Sequence, residues 1–179
     1  DGVQGWINTM DSTSNVRGNE FMVTTVSGAC NTLATAPCCA NTKIATFLGP
    51  GTFCVSQVHP CAANNLVSYM VVAGGGGGGG NSSTPNDAGT SGAGAGGYRE
   101  GLGLNDSYTG SPLRVPTGVP VNTGGYSITV GGGGAGTSSS AAGSKGSNSS
   151  FQSITSAGGG GGGGYQVPEG QACRPIAAL

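Results

Sequence analysis

The chain has 179 residues, a formal net charge of -1 and only 7% charged side chains. Charge this sparse leaves no basic patch for nucleic acid and no polybasic stretch for anionic lipid, and it argues against charge-driven disorder. The longest apolar run, LVSYMVVA at 66–73, is too short to cross a bilayer.

Residues 1–68 are predicted to be β-structure. The opening DGVQGWINTM holds the only tryptophan. Trp6 and Ile7 either pack on their own domain or belong to an extension that docks on a neighbouring subunit. The first residue is Asp1 rather than methionine, as expected of a chain from which a secretion signal has been removed. EFMVTTVSG (20–28) has the β-branched and aromatic content of a strand, and KIATFLGPGTFCVSQV (43–58) reads as two strands around Gly49-Pro50-Gly51, a hairpin signal. No stretch carries helical periodicity over about 11 residues or more.

Six cysteines, Cys30, Cys38, Cys39, Cys54, Cys61 and Cys173, form an even set without zinc or redox spacing. They are expected to form up to three disulfides in an oxidising, extracellular compartment, with Cys173 reaching back to the cluster at 30–61. Free thiols and a metal site are the alternatives. Six cysteines allow about 15 pairings, so the remaining connectivity stays open.

The composition changes at Ala73: six of the 39 glycines precede it and 33 follow. Beyond Tyr69 a phrase recurs in which a short strand signal with an aromatic start runs into glycines. It stands as YMVVAGGGGGGG (69–80), YSITVGGGGAG (126–136) and FQSITSAGGGGGGG (151–164). The spacing is irregular, so this is no strict solenoid. A glycine run has three candidate conformations. Collagen is excluded, because no G-x-y period exists. A flexible linker is the usual state of such a run. The third is an extended threefold helix like polyproline II, in which a run of seven spans about 22 Å. Fixing each backbone costs about 1–2 kcal/mol against about 0.5–1.5 kcal/mol per net hydrogen bond. A lone glycine helix therefore cannot persist, whereas a clamped bundle can.

No motif carries enzyme chemistry. Glycine-rich sequence matches G-x-G-x-x-G by chance, and no G-x-x-x-x-G-K-[ST] occurs. His59, the single histidine, precedes Pro60 and Cys61; a turn residue beside a disulfide is the favoured reading over a Cys–His nucleophile. The seven carboxylates are scattered, and no calcium loop is present. Asn81, Asn105 and Asn148 head N-x-[ST] sequons and are candidate N-glycosylation sites. The aromatics Tyr69, Tyr98, Tyr108, Tyr126, Phe151 and Tyr165 flank the glycine segments and are expected to staple the bundle ends.

KIATFLGPGTF (43–53), YMVVAGGG (69–76), GGYREG (96–101), GYSITVGGGGAG (125–136) and GSNSSFQSITSAGGGG (146–161) follow one another in that order. The succession resembles the glycine-rich domain of bacteriophage tail-fibre and adhesin proteins, which also occurs in bacterial surface proteins from environmental sequences. The likeness covers residues 43–165. It implies a sandwich of packed polyglycine helices whose ends carry variable, surface-recognising loops, and assembly into fibres or attachment at fibre tips. The cysteine cluster and the segment ahead of residue 43 depart from that pattern. Phage proteins assemble in a reducing cytoplasm, where disulfides are disfavoured.

The expected architecture is all-β. Residues 1–68 form a disulfide-linked, β-sandwich-like domain, residues 69–165 combine short strands with packed polyglycine II helices, and residues 166–179 are a tail tied back by Cys173. The expected function is that of a secreted, non-enzymatic structural protein without cofactors or metal. Its partners are copies of itself in a homopolymeric fibre, with segment 1–10 adding as a strand to the next subunit. The alternative is an adhesin at the tip of a virion tail fibre or bacterial surface fibre. It would bind a cell-surface glycan or protein receptor through loops 81–95 and 102–123.

Overall fold

A computed structural model describes residues 22–37, 39–80, 90–103 and 109–164, with only the backbone for 39–41. Trp6, Ile7, Cys38, Asn81, Asn105, Tyr108, Tyr165 and Cys173 lie outside these residues.

The described residues are all-β, in several small sheets. In chain order the strands are β1 (Val23–Val26), β2 (Thr32–Ala36), β3 (Cys39–Thr46), β4 (Gly51–Gln57), β5 (Leu66–Val67), β6 (Tyr69–Val72), β7 (Tyr98–Gly101), β8 (Val119–Pro120), β9 (Gly124–Thr129), β10 (Ser149–Phe151) and β11 (Ile154–Ser156), with one 3-10 turn at Ala62–Asn64. They fall into two compact units. Of the described residues, the first unit holds those up to Tyr69 together with those of Gly101–Ser127, and the second holds those of Met70–Glu100 and those from Ile128 to Gly164.

The first unit is built on one long, bent hairpin. β1 pairs antiparallel with β4, from Val23↔Gln57 to Val26↔Phe53. β2 then pairs antiparallel with β3, from Thr32↔Thr46 to Ala36↔Cys39. The hairpin expected around Gly49-Pro50-Gly51 is therefore not formed, because β3 and β4 lie in different sheets. The reversal falls at Pro37, and the glycine–proline turn is instead the place where the long hairpin bends. The amide of Asn31 explains the bend: its Nδ2 donates to Ser27 O at 2.8 Å, and its Oδ1 accepts Leu48 N–H at 3.0 Å and Gly49 N–H at 3.2 Å. Gly28 takes φ +97° opposite that turn, and a Cβ there would stand 2.4 Å from Pro50 O.

Beside β4 lies the start of β9. Alternate inward residues of β4, Phe53 and Val55, are buried with Val121. The Phe53 and Tyr126 rings are 6.5 Å apart, within the range of tilted aromatic pairs. Tyr126 also closes its own loop, with its hydroxyl accepting Asn122 N–H at 2.7 Å and donating to Asn122 O at 3.0 Å. Below this core, Asn65 is buried and braces the 58–65 turn. Its Oδ1 accepts His59 N–H at 2.7 Å, its Nδ2 donates to His59 O at 2.9 Å, and its carbonyl accepts Val121 N–H at 2.9 Å.

In the second unit the end of β9, β10 and β11 lie side by side, with Phe151 paired to both Ile128 and Ile154 and buried. β6 and β7 form a separate ribbon. No helix of the described residues is long and apolar enough to cross a membrane.

Candidate functional site

Five segments of the second unit lie side by side: 74–80, 91–97, 131–137, 141–147 and 158–164. β6, β9 and β11 run into the first, third and fifth, and the second and fourth run out into β7 and β10. Successive segments therefore alternate in direction. One end of the array is all strand junctions, and the other carries the turn at 138–140.

The bonding repeats every third residue. Gly74, Gly77 and Gly80 donate N–H to Ser147, Ser144 and Ala141 at 2.8–3.2 Å. Gly76 and Gly79 donate to Gly94 and Ser91. The carbonyls of Gly75 and Gly78 accept from Gly134 and Thr137, and those of Gly74 and Gly77 accept from Gly159 and Gly162. One seven-residue run thus bonds to four neighbours. A β-strand repeats every two residues and bonds on two sides, so this run is not a ladder strand. The outer segments are joined by the same rule: Gly94 and Gly97 donate to Gly160 and Ala157, Gly143 and Gly146 to Gly162 and Gly159, and Ser144 and Ser147 to Ala135 and Gly132.

Glycine is needed here for closeness rather than for unusual dihedrals. Among the described glycines only Gly28 and Gly124 take positive φ. A Cβ at Gly74, Gly76, Gly77, Gly79 or Gly80 would come within 2.1 Å of a neighbouring carbonyl oxygen. At the border the requirement falls to one residue in three. Gly143 and Gly146 face Gly77 O and Gly74 O at 2.0 and 2.1 Å, while Ser144 and Lys145 between them are exposed. The GSKG spacing at 143–146 therefore encodes a lattice edge, a signal that attention to uninterrupted runs passes over.

Side chains seal the strand end. Ser149 Oγ accepts Gly131 N–H at 2.9 Å, and Asn148 Oδ1 accepts Gly158 N–H at 2.9 Å. Ser156, 1% exposed, donates its Oγ to Val71 O at 2.7 Å. At the loop end Ser91 Oγ donates to Gly163 O. Ser156→Ala would strand a buried carbonyl and is expected to lower stability by about 1–3 kcal/mol. Urea denaturation checks it, and an unchanged midpoint would mean that water reaches Val71.

The residues singled out in the sequence divide as follows. Asn148, a candidate glycosylation site, is exposed but already serves the array through its Oδ1. His59 is held in its turn, its Nδ1 accepting the Cys61 N–H at 2.8 Å. Among the described residues no disulfide joins Cys30, Cys54 and Cys61 to one another, so the expected cross-links are not formed within this set, and Cys39 is placed by its backbone in β3. Of the aromatics, the Tyr69 ring lies against Gly101, where a Cβ would meet it at 2.3 Å. Tyr98 is half exposed. Among the described residues no three His, Cys, Asp or Glu gather as metal ligands would.

A family model described as a glycine-rich domain matches residues 50–174, well over half of the chain and all five segments. No curated protein and no solved structure matches.

Proposed function

The chain belongs to the glycine-rich domain family, and on that premise we propose that it is a non-enzymatic, extracellular structural protein, the self-assembling subunit of a homopolymeric fibre. The observation that carries the reading is the three-residue recurrence of main-chain bonds across five segments. Three residues per turn is the period of the polyproline II helix, and on this reading the segments are packed polyglycine II helices. Such an array consumes its own peptide groups, which suits a stiff, protease-resistant body.

The assembly step assigned to this subunit is strand addition: residues 1–10, with Trp6 and Ile7, join a sheet edge of the next copy. Removing residues 1–10 is expected to abolish fibres while leaving the amide protection of the array intact. Fibres that form unchanged would overturn strand addition. Disulfides that pair Cys30, Cys54 and Cys61 with Cys38, Cys39 and Cys173 would brace the secreted form. Intact mass measured with alkylation before and after reduction counts them; six alkylatable thiols without reduction would remove the disulfides from the proposal.

A second reading, a receptor-binding adhesin at a fibre tip, rests on the resemblance to tail-fibre and adhesin domains, whose array ends carry surface-recognising loops. Electron micrographs separate the two. A helical lattice of identical subunits supports the fibre, and discrete particles seated on a larger fibre support the adhesin.

A further inference from the structure

Resting on the fibre reading, we infer that the acceptor for the incoming segment is the outer edge of β3, on the side away from β2, and that the occupant is residues 1–10 of a second copy. The bent hairpin has two unlike arms. The β1–β4 arm gains β9 as a third strand, but the β2–β3 arm is a two-stranded sheet with no further strand among the described residues. Two strands alone are marginal in water and are stabilised by a third strand or a packed face. Among the described residues this arm has neither: of β2 and the described part of β3, Ala36 is buried, the Leu33↔Ala45 pair is half-buried, and the rest is exposed. Ile44 is 50% exposed and Leu48, just beyond the strand, 71%.

The edge is also long and weakly guarded. β3 runs for eight residues, Cys39–Thr46, with no proline and one charge, Lys43. Sheet edges that must stay unpaired are normally short or carry charges and prolines. The candidate donor fits in length and character. Residues 1–21 precede the described chain and, fully extended, reach about 70 Å, and their first ten carry Val3, Trp6 and Ile7 with no charge beyond Asp1. An added strand would bond through its main chain to the outward N–H and C=O groups of β3 and cover Ile44.

Hydrogen exchange on the full-length protein over a concentration series, with fibre growth followed by light scattering, tests this. Amides at 42–46 should gain protection in step with assembly. Ile44→Lys, which guards the edge, should slow elongation at least about tenfold while β1–β4 amides stay protected. If the variant does not fold, the concentration series alone decides. Fibres that grow without added protection at 42–46 overturn the edge assignment and leave the fibre reading standing. Full protection at 42–46 in the dilute monomer overturns it too, since the chain's own residues then cover the edge. Absence of assembly at any concentration overturns both.

Discussion

Gly77→Ala is expected to unfold the glycine array, lowering stability by about 3 kcal/mol or more, the upper range for overpacking a tight interior. The added Cβ would sit 2.1 Å from Ala135 O and 2.2 Å from Ala135 C. Both atoms are backbone, held in turn by Ser144 N–H on the same carbonyl at 2.9 Å. No flexible side chain can swing away, so relief requires moving a whole segment and breaking its three-residue series of bonds. Gly132→Ala is the matched control. Gly132 has open space at its Cβ position and no positive φ. Its substitution should be neutral or stabilising by about 0.4–1 kcal/mol, because alanine restricts the unfolded chain. Denaturant midpoints of the two variants measured side by side decide the matter. Equal effects would mean that the segments are not packed at backbone contact, and the array would be lost as an explanation of the glycine content.

Asn65→Ala is expected to cost about 2–6 kcal/mol in the first unit, from two main-chain groups of His59 losing their partner at about 1–3 kcal/mol each. The side chain bonds both the N–H and the C=O of one residue, a pairing that neither aspartate nor alanine reproduces. Asn65→Asp is informative for that reason. It can still accept from His59 N–H, but it turns a second oxygen towards His59 O and should not restore stability. Amide exchange at β5 and β8 should rise with the loss, because Val121 N–H is bonded to Asn65 O. Unaltered exchange there would show that the turn is held by other contacts.

Much of this architecture can be read from particular residues. β-Branched and aromatic runs such as Val23–Val26 and Gly51–Gln57 became strands, since an extended backbone with packed alternate side chains suits them. The seven-glycine run 74–80 became the interior of the array, where side chains are excluded on most sides, while the run 158–164 lies at its border with Gly160, Gly161 and Gly163 exposed. The border segments were less legible. Gly143 and Gly146 look ordinary amid serine and lysine, yet each is required by its close approach to the backbone of the 74–80 run. The bend at Gly49-Pro50-Gly51 was misread because a turn signal states that the chain changes direction and not which strands meet afterwards. Asn31, 18 residues from Gly49 in sequence, settles that.

Composition and local pattern alone determine that this chain is β-rich, nearly uncharged and divided in character near Ala73, because propensity, charge and side-chain size are properties of each residue in place. Only the tertiary structure decided that residues 101–127 pack with the chain up to Tyr69, that β3 turns back on β2, and that the central glycine run bonds to four neighbours at once. These are long-range pairings between peptide groups that are chemically identical along the chain. A glycine run carries no side chain to name its partner, so the partner is chosen by the strands at its ends and by which backbones can approach without a Cβ between them.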